Sequence, residues 1–470
     1  EKFEGAYVKD PQVGMHKWVM SFDLNSLYPH LIMQYNISPE TLVNGGAKMV
    51  EGMVDKILAG KAKNDTEYCM TPNGAFFRKD VKGFLPELME NMYNDRVKYK
   101  KLMLEAKQEY EDTGNTALLK KISRYDNIQM AKKIALNSAY GAIGNNWFRY
   151  FDLLVATAIT TSGQLSIRWI EKSLNIYLNK LLETKDFDYV IASDTDSVYI
   201  TFDKLVDKLF PKGTPTEKII NFLDKIASEK LEPFIDKSYQ HLAEEMNAYD
   251  QKMQMSREAI ADKGIWTAKK RYILNVWDME GVRYKEPYLK IMGIEAVKSS
   301  TPAPCREKIK QALKIMMSGD EKMLNKFIQE FRDEFMKLPP EEIAYPRSCN
   351  GVQKFRGESQ LFAKGAPIHV KGAILYNHLV NKQKLENKYP LIQEGDKIRF
   401  LHLRQPNIFQ SSAFSFMTEV PKELDICNKI DYDMQYEKSF VEPLKVITEK
   451  INWLIDSSYG VQGTLEDFFG

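Results

Sequence analysis

One short acidic segment, Ser21–Pro29 with the sequence SFDLNSLYP, sets the topology expected of the chain around it. The β-prone residues Trp18–Phe22 precede Asp23, and after a polar turn the apolar run Leu27–Met33 follows. Asp23 is therefore expected where a strand ends and a helix begins. Because the free backbone N–H groups at a helix start attract anions, this carboxylate can share an anion-binding and metal-binding pocket with them.

A second acidic segment, Ser193–Ser197 with the sequence SDTDS, lies much later in the chain. The β-rich runs on both sides of it predict a hairpin with Asp-Thr-Asp at its tip. Asp194 and Asp196 are two residues apart, so in an extended segment they point to the same face. Together with Asp23 they predict a cluster of three carboxylates, and oxygen ligands of this kind suit Mg²⁺.

Two helices are expected between the acidic segments. Residues 91–104 contain no helix breaker, and residues 128–142 also have a helical pattern. A junction near residues 112–115 predicts an antiparallel helical hairpin with a basic inner face. The side chains expected on that face are Arg96 and Lys100 on the first helix, and Lys133, Asn137 and Tyr140 on the second.

A solvated basic helix surface is the alternative for these cations. We favour that interpretation for Lys98, Lys101 and Lys107.

These segments resemble the ordered motifs of family B DNA polymerases. The first is similar to the pattern Asp-x-x-Ser-Leu-Tyr-Pro and the second to the Asp-Thr-Asp-Ser hairpin. Between them, Lys133–Gly141 resembles Lys-x-x-x-Asn-Ser-x-Tyr-Gly. Three further segments resemble the branch used by T-even-type phages, namely Asn36–Thr41, Asn146–Tyr150 and Lys269–Tyr272.

The resemblance implies an α+β right-hand polymerase fold with an antiparallel-sheet palm, a helical-hairpin fingers subdomain and a mostly helical thumb. Residues 1–85 and 146–293 would form the palm, 86–145 the fingers, and 294–470 the thumb with a C-terminal clamp-binding tail.

The implied function is template-directed DNA synthesis in phage DNA replication, in which a primer 3′ end is extended from deoxynucleoside triphosphates. Nucleotidyl transfer of this kind can use two cations about 3.5–4 Å apart. The resemblance implies two Mg²⁺ ions, with Mn²⁺ as a substitute. Asp23 and Asp196 would bridge them, the Leu24 carbonyl would add an oxygen, and Asp194 would be a nearby catalytic carboxylate. The alternative is that Asp23 caps a helix while the other two aspartates form a turn.

The resemblance also implies a nucleotide-binding set. Arginine suits bidentate phosphate contact, whereas lysine acts as a point charge. Tyr28 would exclude a ribose 2′ hydroxyl, and Tyr140 would lie against the minor groove of the nascent pair. Ordinary core packing is the alternative for both tyrosines. The full set is Ser26, Leu27, Tyr28, Arg96, Lys100, Lys133, Asn137 and Tyr140.

Contacts to primer-template DNA are implied for a further set. Cations of the run Lys269–Tyr272 would neutralise phosphates, although a solvated face is the usual role of such a run. Phe3 stands where the family's template-strand element has tyrosine. Glu258 matches another palm carboxylate, but Ser256 replaces its acidic partner. The DNA-binding set is Phe3, Gly5, Lys269, Lys270, Arg271, Tyr272, Lys290, Lys298 and Lys371.

The last residues of the chain form an apolar and aromatic tail. Leu465, Phe468 and Phe469 at helical spacing predict insertion into a partner's pocket, which the resemblance implies to be the sliding clamp. Packing against the thumb is the alternative.

Since no Asp-x-Glu exonuclease signature precedes Phe3–Ala6, we expect a polymerase module without its own 3′–5′ exonuclease. A split polymerase with a separate exonuclease chain and an expressed fragment both remain open.

Composition fits a cytoplasmic enzyme, in the host bacterium if the source is a phage. The 470 residues carry a net charge of only +2, so DNA binding must depend on how the charges are distributed. The four cysteines lack metal-ligand spacing, and no apolar stretch is suited to spanning a bilayer, so no membrane partner is expected. A catalytically silent DNA-binding scaffold and a reverse transcriptase are the competing hypotheses.

Overall fold

The computed structural model describes residues 5–43, 50–358 and 360–456. The chain divides into two compact units, one ending at Lys290 and the other beginning at Ile291. Several residues singled out from the sequence lie outside the described ranges, so their predicted roles are not addressed by the structure. They are Phe3, Leu465, Phe468 and Phe469.

A six-stranded sheet organises the described part of the first unit, with strand order β4-β5-β1-β6-β7-β8. Strands β2 and β3 form a separate two-stranded sheet. The strands are β1 (Gly14–Leu24), β2 (Cys69–Met70), β3 (Phe76–Phe77), β4 (Val190–Asp194), β5 (Ser197–Thr201), β6 (Met255–Ala268), β7 (Arg271–Met279) and β8 (Val282–Met292).

Strand β1 is central and pairs antiparallel with both β5 and β6. Residues 19–22 are all buried, as expected of a strand covered on both faces. Asp23 is the next residue, and its Cα lies opposite Ser197 of β5 and Ser256 of β6. The central strand therefore carries an acidic residue near its C-terminal end, beside the turn between β4 and β5.

The helices of the first unit surround this sheet. Helices α3 and α4 are joined by three residues, so they form an antiparallel helical hairpin. Gly114 ends α3 with a φ of 68°, a left-handed conformation that glycine adopts readily. The helices are α1 (Leu27–Gln34), α2 (Met53–Leu58), α3 (Phe84–Thr113), α4 (Ala117–Ile143), α5 (Leu153–Leu182), α6 (Asp203–Leu209), α7 (Thr216–Ile226) and α8 (Glu232–Glu245), and residues 227–231 form a π-helical link between the last two.

Helix α5 supplies much of the core beneath α1. Its N-terminus is capped by Asp152, whose Oδ1 accepts hydrogen bonds from the N–H groups of Leu154 and Val155 at 2.8 and 3.2 Å. Gly163 faces α1, and a Cβ there would lie 3.2 Å from Cε1 of Tyr28. The absent side chain leaves room for the tyrosine ring.

The second unit combines helices with a small antiparallel sheet of order β11-β10-β9. The sequence predicted a mostly helical region here and did not indicate these short strands. The elements are α9 (Ala303–Ser318), α10 (Glu321–Phe335), α11 (Pro340–Ile343), β9 (Tyr345–Ser348), α12 (Ile368–Lys382), β10 (Lys397–His402), β11 (Ala413–Phe416), α13 (Tyr432–Tyr436) and α14 (Glu442–Thr448), with a π-helical turn over residues 437–441.

The mixed helical and antiparallel-sheet fold class is confirmed. Strand β1 runs into α1 around Asp23, and β4 and β5 form the hairpin around Thr195. Ser193 pairs with Val198 in that hairpin, beyond a register shift between Val190 and Ala192. In the described ranges, no helix combines the length and apolar character needed to cross a bilayer.

Candidate active site

A cavity of about 520 Å³ lies in the first unit where β1, α1, α3, α4 and the β4–β5 turn meet. Most residues predicted for catalysis and nucleotide binding line it, even though they come from separate parts of the chain. Those in its wall are Asp23, Leu24, Ser26, Leu27, Tyr28, Arg96, Lys100, Lys133, Asn137, Tyr140 and Asp196.

Two of the carboxylates in this cavity, those of Asp23 and Asp196, are placed by backbone contacts. The N–H of Leu24 donates to the carbonyl of Asp196 at 2.8 Å, which joins the end of β1 to the hairpin turn. Thr195 has a φ of 45°, so the chain reverses within the turn. Asp23 at the end of β1 and Asp196 in the β4–β5 turn consequently face one cavity.

Burial and repulsion disfavour the charged forms of both acids. Burial raises the pKa of Asp23 well above its usual value, and repulsion from Asp196 and Glu258 adds to the effect, while Lys100 and Lys133 oppose it. Burial, followed by repulsion from Asp194, raises the pKa of Asp196 to about 6. Because the charged forms of both acids are unfavourable here, a cation bound between them would stabilise those charged forms.

Asp194 differs from the other two aspartates. Its Oδ1 accepts a hydrogen bond from the Thr195 hydroxyl at 3.0 Å and lies 3.4 Å from Nζ of Lys270. In the ranges that the structure describes, no three acidic, histidine or cysteine residues form a group suited to a metal ion. Asp194 is not among the residues that line the cavity of Asp23 and Asp196, and the left-handed Thr195 interrupts the extended geometry that we assumed for Asp194 and Asp196.

Helices α3 and α4 contribute cationic side chains to the wall of the cavity. Arg96 is buried, and its Nη1 donates to Oγ of Ser26 at 2.9 Å while its Nε donates to Oε1 of Gln129 at 3.4 Å. Lys100 forms an ion pair with Glu280. Within the described residues, Lys133 has no carboxylate partner within ion-pair distance. The cavity therefore sets carboxylates against guanidinium and ammonium groups.

Our interpretation of the other basic residues of α3 needs one correction. Lys98 and Lys101 are exposed, as we expected of a solvated helix surface. Lys107 instead lines the cavity. It lies seven residues after Lys100, so both project from the same face of α3.

The predicted tyrosines lie together. The ring centroids of Tyr28 and Tyr140 are 4.6 Å apart, and both residues line the cavity. Burial raises the pKa of Tyr28 to about 12, so its hydroxyl stays protonated and can donate a hydrogen bond. The pair therefore forms an aromatic part of the cavity wall.

Several lining residues were missed by sequence reasoning. Met103 and Lys107 continue the helical spacing of Arg96 and Lys100, which is a pattern that could have identified them. Glu280 belongs to the β7–β8 turn, and no local pattern connects it to α3. The missed residues are Asn25, Met103, Lys107, Asp126, Gln129, Met130, Thr195 and Glu280.

Glu258, which the resemblance matched to a palm carboxylate without its acidic partner, also lines the cavity. Its carboxylate accepts from the Ser21 hydroxyl at 3.1 Å and pairs with Nζ of Lys290 at 2.9 Å. Lys290, predicted to contact DNA, is thus already engaged by an acidic neighbour in this structure.

The basic and aromatic run after β6 is only partly exposed. Tyr272 is buried, stacks on Trp266 with ring centroids 5.3 Å apart, and shares a 2.6 Å hydroxyl contact with Tyr199. Lys269, Lys270 and Arg271 are exposed beside it. The run therefore combines one buried aromatic residue with three exposed basic residues.

The remaining predicted DNA contacts are spread over the chain. The carbonyl of Gly5 accepts a hydrogen bond from Gln164. In the second unit, Lys298 pairs with Glu295 at 2.6 Å, and Lys371 lies in α12.

Comparisons with known proteins agree with this arrangement of motifs. A family model described as DNA polymerase family B matches residues 1–452. The chain belongs to family B of the DNA polymerases. The resemblance drawn from the three ordered motifs is thereby confirmed.

Two phage enzymes are among the relatives of this family B chain. It is 36% identical to the DNA-directed DNA polymerase of Escherichia phage RB69, over 95% of this chain and 55% of that protein. It is 33% identical to the DNA-directed DNA polymerase of Enterobacteria phage T4, over 100% of this chain and 57% of that protein. The chain thus spans just over half the length of these phage relatives.

A more distant relative is DNA polymerase 1 of Pyrococcus abyssi. It is 28% identical over 73% of this chain and 36% of that protein. The similarity to family B therefore extends beyond the phage enzymes.

Proposed function

We propose that this chain is a template-directed DNA polymerase that extends a primer 3′ end from deoxynucleoside triphosphates. One observation carries the proposal, namely that a single cavity is lined by Asp23 and Asp196 from β1 and the β4–β5 turn and by Arg96, Lys100 and Lys133 from α3 and α4. A nucleotide being joined to a primer needs both a cation-binding acidic side and a basic side for its phosphates. Membership of family B supplies the reaction class.

The acidic side suits a divalent cation. Family B polymerases generally use divalent metal ions. The available donors are the oxygens of Asp23 and Asp196 with the Leu24 carbonyl, and oxygen ligands are those that Mg²⁺ prefers. We therefore propose that these residues hold two Mg²⁺ ions, with Mn²⁺ as a substitute. Such ions supply Lewis-acid activation and charge compensation for transfer to the primer hydroxyl.

The basic side would bind the triphosphate. Arg96 is fixed by Ser26 and Gln129, so its guanidinium is oriented before the nucleotide arrives. Lys100 and Lys133 would act as mobile point charges, and Asn137 would add a hydrogen bond. The backbone N–H groups of Ser26 and Leu27 complete the proposed phosphate contacts.

The aromatic pair would recognise the sugar and the base pair. Tyr28 is held between Gly163 and Tyr140, where its ring would oppose a 2′ hydroxyl on the incoming sugar. Tyr140 would lie on the minor-groove side, where correct pairs present similar acceptor patterns.

The remaining proposals concern subdomains and DNA. We assign the large sheet to a palm, α3 and α4 to fingers, and the second unit to a thumb. Asp194 is proposed as an auxiliary catalytic carboxylate close to the primer end. Primer-template DNA would contact Gly5 and the cations Lys269, Lys270, Arg271, Lys290, Lys298 and Lys371, with Tyr272 supporting the primer edge.

Phage DNA replication in the bacterial cytoplasm is the proposed setting. The sliding clamp is proposed as a partner through Leu465, Phe468 and Phe469, which lie outside the described residues. A separate exonuclease chain is proposed as a further partner.

Primer extension tests the proposal. A labelled primer on a DNA template, supplied with Mg²⁺ and deoxynucleotides, is expected to lengthen, and a chelator is expected to stop it. An RNA template in a parallel reaction distinguishes a reverse transcriptase. Duplex binding without extension under any of these conditions would support the silent scaffold instead.

A further inference from the structure

The turn between β7 and β8 places an acidic side chain against the basic wall of the cavity. Glu280 and Gly281 form a two-residue hairpin loop with φ values of 50° and 88°. Loops in which both residues are left-handed favour Asn, Asp or Gly, and a long side chain costs conformational energy there. Turn geometry therefore does not account for a glutamate at residue 280.

The glutamate reaches across to α3. Its carboxylate forms an ion pair with Lys100, and the side chains are 31% and 28% exposed respectively. Further along α3, Oε1 of Gln108 accepts a hydrogen bond from the N–H of Arg283 at 3.2 Å. The hairpin thus contacts α3 at two points, one of which engages a cation of the cavity.

The base of the hairpin is held firmly. The N–H of Gly281 donates to Oδ1 of Asp278 at 3.1 Å. Asp278 is buried and forms ion pairs with Arg257 and Arg283. Because this network fixes the turn, the carboxylate of Glu280 is directed at Lys100 by a rigid support.

We propose that Glu280 is an internal competitor of the incoming triphosphate. It is a positioning residue that pairs with Lys100 while no nucleotide is bound and gives the lysine up when phosphates enter. The inference rests on the proposed function and refines it. Among the described residues, Lys107 and Lys133 lack such a carboxylate partner, and Arg96 interacts with Glu280 electrostatically without forming an ion pair. Direct ion-pair competition therefore falls on Lys100.

Two consequences follow from this competition. The affinity for the triphosphate is lower than the cavity's cations alone would provide, since Lys100 must leave an existing partner. The same carboxylate repels pyrophosphate after the reaction, which weakens binding of the product. Glu280 therefore sets the affinity of the cavity for phosphate groups without contacting the reacting atoms.

Equilibrium nucleotide binding tests the proposal without turnover. The full chain is bound to a primer-template ending in a dideoxynucleotide, and the Kd of the next complementary deoxynucleotide is measured. Glu280→Gln is expected to lower the Kd about two- to fivefold, the range typical of a partly exposed ion pair. Glu280→Asn, which suits the turn better, is expected to lower it as well.

A matched control removes the same charge from the same hairpin. Glu286 is exposed on β8, and Glu286→Gln is expected to leave the Kd within experimental error. Inhibition of primer extension by pyrophosphate provides a second readout, since Glu280→Gln is expected to lower its inhibition constant.

A double-mutant cycle decides between competition and general electrostatics. In a Lys100→Met background, Glu280→Gln is expected to improve binding by less than half of its effect in the wild-type chain. An equal improvement in both backgrounds, or no improvement in the wild-type background, overturns the proposal. If the wild-type chain binds and extends normally while Glu280→Gln matches it, only this inference fails. If the wild-type chain binds no nucleotide, the proposed function fails with it.

Discussion

The backbone N–H of Leu24 donates to the carbonyl of Asp196 across 2.8 Å. Through this bond the central strand and the turn of a distant hairpin hold Asp23 and Asp196 against the same cavity. The arrangement costs stability when no cation is present, because both acids have raised pKa values. Function and stability are therefore opposed at this point of the fold.

Replacing Asp196 by asparagine is expected to stabilise the metal-free protein at neutral pH. The pKa of Asp196 is about 6 when folded, against a usual value of 3.8. An acid whose pKa rises on folding contributes stability that is lost as the pH climbs from about 4 to about 6. Asp196→Asn should thus raise the free energy of unfolding by about 1–2 kcal/mol at pH 7.5, and by much less at pH 4.5.

Urea unfolding in the presence of a chelator measures this effect. Asp207→Asn, at an exposed position of α6, serves as the control and should change little at either pH. A loss of stability in Asp196→Asn at pH 7.5, or an equal gain at both pH values, would contradict the account.

Replacing Arg96 by lysine should weaken nucleotide binding even though the charge is kept. Lysine cannot reproduce the paired contacts with Ser26 and Gln129, so the cation loses its fixed orientation. We expect the KM for deoxynucleotides to rise about tenfold or more, as the loss of a hydrogen bond to a charged group implies. Lys98→Met, an exposed position on the same helix, should leave KM nearly unchanged. Equal effects of the two substitutions would count against a phosphate-binding role for Arg96.

Shortening Tyr28 should relax sugar discrimination. The ring packs 4.6 Å from Tyr140 and beside Gly163, so it has little freedom to move away from a 2′ hydroxyl. Tyr28→Ala should raise the relative kcat/KM for ribonucleotides by about tenfold or more, whereas Tyr28→Phe should retain the wild-type preference. The measurement is single-nucleotide incorporation with matched ribo- and deoxynucleotides. An unchanged preference in Tyr28→Ala would show that another residue selects the sugar.

The exposed basic edge after β6 should contribute to DNA affinity through phosphate contacts. Lys269→Ala and Arg271→Ala should each weaken duplex binding and lower the slope of log Kd against log salt by about one. Lys180→Ala, on the exposed side of α5, removes an equal charge and should leave the slope as it is. Binding curves at several salt concentrations measure both quantities. If the slope of log Kd against log salt stays the same in all three variants, Lys269 and Arg271 do not contact the DNA phosphates.

Local patterns were enough to predict the acidic segments and the helical hairpin. The β-prone run before Asp23 and the helical spacing of Arg96 and Lys100 are patterns of neighbouring residues, so they can be read from the sequence. The extended geometry assumed for Asp194 and Asp196 was wrong, because Thr195 between them is left-handed, and Asp194 pairs with Lys270. A single backbone angle of this kind has no reliable signature in one sequence.

Contacts between residues far apart in the sequence could not be predicted either. Glu280 and Lys100 are 180 positions apart, and their contact depends on how the β7–β8 hairpin meets α3. In the second unit, β9 pairs with β10 across a long connection, and β9 and β11 have only four residues each, too few for alternation to predict them. Contacts of both kinds are set by tertiary packing, and local propensity carries little information about them.

The central claim is that Asp23 and Asp196 face a nucleotide cavity in which DNA synthesis takes place. Primer extension by the wild-type chain, Asp196→Asn and Asp207→Asn, with Mg²⁺ and deoxynucleotides on a DNA template, tests it most directly. We predict extension by the wild type and Asp207→Asn, and at least about a thousandfold slower extension by a folded Asp196→Asn that still binds the duplex. Extension by Asp196→Asn at the wild-type rate would contradict the claim.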